Sequence, residues 1–169
     1  MAQEKLFDAF EYFENLGKSN RLAAENDFHV GFCSGPQGIE DAVAEFRKAK
    51  NFILVDDTTS QNTYCNGVTF FRRDIYTVFI VAGFRAGDMK DRQEKMNLCR
   101  RIFRQMHARL INDKDSYAYG DSLEYLRLDN IYSNEFPELF LNGMTGLYFS
   151  VQNEQPIDLQ YNAEEWTDR

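Results

Sequence analysis

Two adjacent acids, Asp56 and Asp57, close the apolar run FILVDD at 52–57. The end of a strand is where α/β enzymes often place metal ligands or general acids, so this pair is the first candidate for chemistry. A hydrolase or a nucleotide-dependent enzyme would use one of them in a pocket. Neighbouring residues on a strand point to opposite sides, however, and no third ligand stands at a recognisable spacing. Surface charge at a strand end is the plainer reading. His29 and His107 are the chain's two histidines. His29 could act as base to the Cys33 thiol, but four residues along a strand separate the two by about 13 Å. Neither Cys33 nor Cys65 stands in a cysteine-hydrolase motif. His107 lies among cations in a helical stretch, at an edge rather than in a catalytic pair.

The glycine-bearing SGPQG at 34–38 precedes a helical pattern, and its amides could hold an anion. It matches neither the P-loop nor the dinucleotide fingerprint, and a turn followed by a helix start accounts for it. No pattern points to a cofactor, and no CxxC or Cys/His cluster points to zinc. Cys33, Cys65 and Cys99 are read as reduced thiols.

A basic group stands out: Arg72, Arg73, Arg100, Arg101, Arg104 and Arg109. Three readings apply, in this order. The first is a solvated face, with several members opposing a helix dipole. The second is contact with acidic surface on an identical neighbour, for which Arg72, Arg73, Tyr76, Arg101 and Arg104 are the candidate interface residues. The third is a nucleic-acid patch, which lacks any accompanying aromatic-basic signature. The chain has 19 Lys+Arg against 27 Asp+Glu, a net charge of −8. That balance disfavours free nucleic acid and anionic membrane surfaces, both of which are bound through clustered cations. The N-terminal MAQEKLFDAFEYFEN carries acids where a signal peptide needs bases, and no apolar run is long enough to span a bilayer. The expectation is a soluble protein made in a cytoplasm.

The elements that must position these residues follow from periodicity. Residues 3–16 read as a helix with Leu6, Phe7, Phe10, Phe13 and Leu16 on its apolar side, stopped by Gly17. A short helix passes through Leu22 and Ala24, then a strand spans 28–34. Ile39, Val43 and Phe46 mark another helix to about Lys48, and 52–57 a second strand. TTSQNTYCNG, 58–67, reads as a loop or irregular edge. VTFFRRDIYTVFIVAGF reads as either one long bent strand or two strands meeting near Arg72-Arg73-Asp74, with two strands in a hairpin preferred. Asp88 caps a long helix from Met89, whose stripe is Met96, Cys99, Ile102, Phe103, Met106 and Leu110. Strands follow at 125–132 and within 138–152, around the Asn142-Gly143 turn signal.

The fold class expected is α+β: one domain, 1–155, with a largely antiparallel sheet packed by the long helix and the N-terminal helices. Residues 156–169 form a peripheral acidic tail with one anchor, Trp166. DIYTVFIVAGF poses a packing problem, because both of its faces are apolar. The long helix covers one; the N-terminal helices or a neighbouring subunit must cover the other.

The segments LFDAFEYFENL, DIYTVFIVAGF, MKDRQEKMNLCRRIFRQMHARLI and ELFLNGMTGLYFSVQ, in this order over most of 3–152, resemble the tail-completion and tail-terminator proteins of tailed phages and prophages, and their relatives at the head–tail junction. The resemblance is one of layout. It implies a non-enzymatic virion subunit, assembled in the host cytoplasm, that closes into a ring and docks on other tail or neck proteins. Two features depart from the type: the NTYCNG-containing loop and the acidic stretch after Pro156. Binding adaptors of the bacterial cytosol are the other non-enzymatic alternative.

Overall fold

Asp8 has extended backbone and accepts a hydrogen bond from the Glu11 amide at 3.0 Å, which caps α1 (Ala9–Lys18); residues 3–7 of the expected helix lie outside the described residues. The structure, a computed structural model, describes residues 8–45, 50–136 and 143–167. Leu6, Phe7, Phe46, Lys48, the 138–142 stretch with Asn142, and the side chain of Val43 lie outside the described residues. Gly17 is not a stop. It lies inside the last turn of α1, where a Cβ would come 2.9 Å from Val30 Cγ1 and 3.2 Å from Ile53 Cγ2. The missing side chain lets the helix lie against the sheet.

Next come α2 (Arg21–Glu25), β1 (Phe28–Cys33), α3 (Gly35–Glu45) and β2 (Asn51–Asp56). β1 and β2 pair in parallel, as a helical crossover permits. The stretch expected as a loop or irregular edge holds an edge strand, β3 (Ser60–Cys65), and at Arg72-Arg73-Asp74 the preferred hairpin gives way to the alternative, one continuous strand, β4 (Phe70–Gly83). The reversal falls earlier, at Asn66-Gly67. There Asn66 Oδ1 accepts from the Val68 and Thr69 amides, and Gly67 takes φ +95°. The long helix α4 (Met89–Asp115) is capped by Asp88 as its sequence predicts. β5 (Ala118–Asp121), β6 (Leu126–Phe136), β7 (Met144–Ile157) and a 3-10 turn (Ala163–Glu165) complete the chain. Pro156 and Ile157 belong to the sheet, opposite Phe71 and Phe70.

The result is a single α+β domain around a six-stranded sheet. The order is β1-β2-β4-β7-β6, with β3 also on β4, and every pair but β1–β2 is antiparallel. The two faces are covered unequally. On one face Ile53, Val55, Val78, Ile80, Leu147, Phe149 and Val151 form a dry core with α1, α2 and α4. The N-terminal helices therefore share this face with α4 and do not cover the other. On the second face Phe52, Leu54, Phe79, Val81 and Met144 pack with Ile39 and Ala42 of α3. That smaller core covers only one end. Further along β4 on this face, Phe71, Arg73, Ile75 and Thr77 are only half-buried.

Candidate interaction surface

Alternation and register build the open part of the second face. Phe79 lies opposite Tyr148, and Thr77 opposite Ser150 with their hydroxyl oxygens 3.1 Å apart. β6 adds Tyr132 and Phe136 from the neighbouring strand. Phe136 sits 6.0 Å from Phe79 and 5.6 Å from Tyr148, and Tyr132 sits 6.2 Å from Tyr148, ring centre to ring centre. Exposure rises across this cluster from 3% at Phe79 to 58% at Tyr132. An aromatic seam thus runs out from under α3 to the surface.

Beyond Thr77 and Ser150 the same face turns polar. Glu154 Oε1 accepts from Arg73 Nη2 at 2.8 Å and from the Tyr64 hydroxyl. The Arg73 guanidinium lies over the Tyr64 ring, 5.4 Å from its centre, a cation–π arrangement. Tyr64 donates to the Glu154 carboxyl and Arg73 adds a positive charge, and together they hold it below the usual carboxylate range.

The expected interface residues do not share one surface. Arg72 and Arg73 are neighbours on β4 and point to opposite faces. Arg72 bonds through Nε to Asp74 Oδ2 at 3.0 Å on the helix side. Tyr76 is buried in the main core, its ring 5.7 Å from Phe10 and 6.4 Å from Phe13. Arg101 and Arg104 are exposed on α4, with no carboxylate within ion-pair distance among the described residues. Arg73 alone of the five lies on the open sheet face. Tyr132, Tyr148, Ser150 and Glu154 do lie there. The alternation of Tyr148, Ser150 and Gln152 along 147–152 is the sequence signal for Tyr148 and Ser150, although it does not identify the facing strand.

On the helix side, Asp113 is 2% exposed and accepts from the Tyr12 hydroxyl at 3.0 Å and from Arg109 Nε at 2.6 Å. This tie joins α1 to α4. Burial, followed by the Asp113 charge, pushes the Tyr12 phenol far above its ordinary value. Next to it, the α1–α2 corner and α4 enclose a groove of about 540 Å³. Leu16, Leu22 and Met106 form its apolar lining, with Arg21, Glu25, Arg101 and Arg109 among the charged groups. Another groove, of about 580 Å³, lies at the β6 bulge and carries Asp115, Glu124, Asp129 and Glu154.

The candidates for catalysis are tied up locally. Asp56 Oδ1 accepts from the Gly35 amide, the Thr58 amide and the Thr58 hydroxyl at 2.7–2.9 Å, which anchors the start of α3. Asp57 Oδ2 accepts from Ser34 Oγ at 2.9 Å. Burial pushes the Cys33 thiol up to about 12, with Asp56 and Asp57 adding to it, which opposes thiolate chemistry. His29 packs edge-on against Phe52, and His107 stacks on Phe103. Among the described residues, no group of three or more His, Cys, Asp or Glu is placed to share a metal ion, and no helix is long and apolar enough to cross a membrane.

No protein-family model matches this chain, and a search of curated proteins finds no match to it.

Proposed function

We propose that this chain is a non-enzymatic assembly subunit of a tailed phage or prophage, of the tail-completion or tail-terminator kind. It acts by closing on copies of itself and docking on other tail or neck proteins. The observation that carries this reading is the unequal cover of the sheet. One face is a complete core, while the other leaves Tyr132, Tyr148, Thr77 and Ser150 as a partly exposed seam running from apolar to polar. Exposed apolar surface rimmed by polar groups is the usual mark of a contact site. The phage assignment comes from the layout of LFDAFEYFENL, DIYTVFIVAGF, the long helix and the closing strands.

The test is end-capping. Purified protein is mixed with tail tubes from the same genome and viewed by negative-stain microscopy. Caps on one tube end, lost when Tyr132 and Tyr148 are both changed to serine, are the expected result. Bare tube ends with the unmodified protein would overturn the reading.

A further inference from the structure

The segment after β7 is built like an arm. Every residue from Asp158 to Thr167 is exposed, including Leu159, Tyr161 and Trp166 at 56%, 74% and 56%. Large apolar side chains left this open carry a standing cost in water, and burying one tryptophan removes on the order of 150–250 Å². The arm's charge is of one sign: DLQYNAEEWT holds Asp158, Glu164 and Glu165 and no Lys or Arg. Its tip is pre-shaped. Asn162 Oδ1 caps the 3-10 turn through the Glu164 amide, and Tyr161 stacks on Trp166 with ring centres 6.2 Å apart.

The complement lies on the opposite side of the sheet from the aromatic seam. The groove between the α1–α2 corner and α4 has an apolar lining of Leu16, Leu22 and Met106. Of its arginines, Arg109 is held by Asp113, whereas Arg21 and Arg101 have no carboxylate within ion-pair distance among the described residues. In a chain of net charge −8, a groove presenting unpaired guanidinium groups above apolar side chains is an unusual local environment. The β6 groove sets four carboxylates against Lys114 and Arg127, so it is net acidic and would repel the same arm.

We propose that the arm of one copy, Asp158–Thr167, docks in the α1–α2/α4 groove of the next. Trp166 sits on the apolar lining, and Glu164 and Glu165 face Arg21 and Arg101. The arm leaves the sheet where Ile157 pairs with Phe70, eight residues (about 26 Å) along β4 from Val78, whose partner Phe149 lies under Phe103 of α4. The groove it enters and the arm it offers are different patches, so each copy is receiver on one side and donor on the other. That is the head-to-tail arrangement from which rings close. This rests on the ring-subunit reading and names the contact that would link its members.

The test uses full-length chains carrying Cys65→Ser, which removes the exposed thiol and leaves the buried Cys33 and Cys99. One chain carries Ser19→Cys beside the groove, and the other carries Thr167→Cys on the arm and a mass tag. Mild oxidation of the mixture should give a disulfide between the two chains. Arg21→Glu with Arg101→Glu in the first chain should cut its yield by about tenfold, and Glu164→Arg with Glu165→Arg in the second should restore it. No inter-chain product overturns the arm exchange, as does a product indifferent to the charge reversals. A single chain bearing both cysteines that closes only on itself shows the arm docking at home, and this too overturns it. Circular dichroism of each variant verifies folding. Tube capping separates the two readings: caps formed equally well by the Arg21→Glu/Arg101→Glu chain sink the arm alone, whereas bare ends with unmodified protein sink the ring reading.

Discussion

The same three chemical groups meet on both sides of the sheet. On the helix side they are Tyr12, Asp113 and Arg109; on the open side, Tyr64, Glu154 and Arg73. The first set belongs to α1 and α4 themselves, and although the Arg109 side chain is 53% exposed, its carboxylate is almost without contact to solvent. The second lies on strand surface, where the carboxylate side chain is 15% exposed. In the first place the bonds hold two helices together, and removing any partner strands a buried oxygen. In the second they pin the protruding ends of β3, β4 and β7, while water can replace any partner that is lost. Identical chemistry thus serves stability on one face and surface shape on the other.

The largest effect should come from the residue on which both faces depend. A Cβ at Gly146 would stand 2.1 Å from the Ile80 carbonyl oxygen and 2.7 Å from Val81 Cα, near the start of β7 where it pairs with the end of β4. Backbone cannot yield as a flexible side chain can, so Gly146→Ala should cost about 4 kcal/mol or more in urea unfolding. Unfolding indistinguishable from that of the unmodified protein would show that the strands are not held this closely. The next two variants separate the faces. Phe149 is fully buried between Phe13 and Phe103, and Phe149→Ala should cost about 3–5 kcal/mol. Tyr148 is its neighbour in sequence, and Tyr148→Ala should cost about 1–2 kcal/mol while weakening tube capping. Equal losses at 148 and 149 would erase the distinction between a closed face and an open one.

Tyr12→Phe is comparable in size. It leaves Asp113 Oδ2 buried without its donor, for about 1–3 kcal/mol at neutral pH, whereas Tyr64→Phe should leave the unfolding midpoint nearly unchanged. The alkaline limb carries a second signature. Tyr12 has its folded pKa raised, so its contribution is complete below about pH 10, where unfolded tyrosine still holds its proton, and declines as pH rises above that. The slope belonging to this one proton is about 1.4 kcal/mol per pH unit. Tyr12→Phe should remove that slope and leave the part due to the other tyrosines, Tyr76 among them. An unchanged alkaline limb would mean that Tyr12 ionises as freely in the folded protein as in the unfolded chain.

Periodicity made the closed face legible and left the open one obscure, for a physical reason. Met96, Cys99, Ile102, Met106 and Leu110 repeat at helical spacing because one stripe of α4 meets one sheet face, and Asp88 announces where that helix starts. The α+β class followed from such patterns. The strand pairing did not. Arg72-Arg73-Asp74 looks like a break in an apolar run, yet Arg72 bonds Asp74 on one side and Arg73 bonds Glu154 on the other, so the strand passes through. The Asn66-Gly67 turn signal was present in the sequence, but β3 before it is polar from Ser60 to Thr63, exposed residues that give no apolar alternation. Tyr76, an expected interface residue, is buried in the main core, because alternation gives the sides of a strand without saying which side is roofed. Arg101 and Arg104 lie on the expected helix, with the sheet between them and Arg73.

The smallest effect lies in the acid range and belongs to the open triad. The Tyr64 bond and the Arg73 charge depress the folded pKa of Glu154. Its contribution is therefore present above the ordinary glutamate value of about 4.3 and is lost as pH falls from there through the folded value. Glu154→Gln should make the urea midpoint fall less between pH 5 and pH 3 than it does in the unmodified protein, by an amount smaller than the Tyr12 effect because solvent screens the site. The same substitution loosens the Arg73–Tyr64 stack beside the seam, so tube capping should weaken even where stability hardly moves. Asp113→Asn should do the reverse, with stability falling and capping preserved in the fraction that stays folded. Variants that moved stability and capping in parallel on both faces would show that the two triads do the same work.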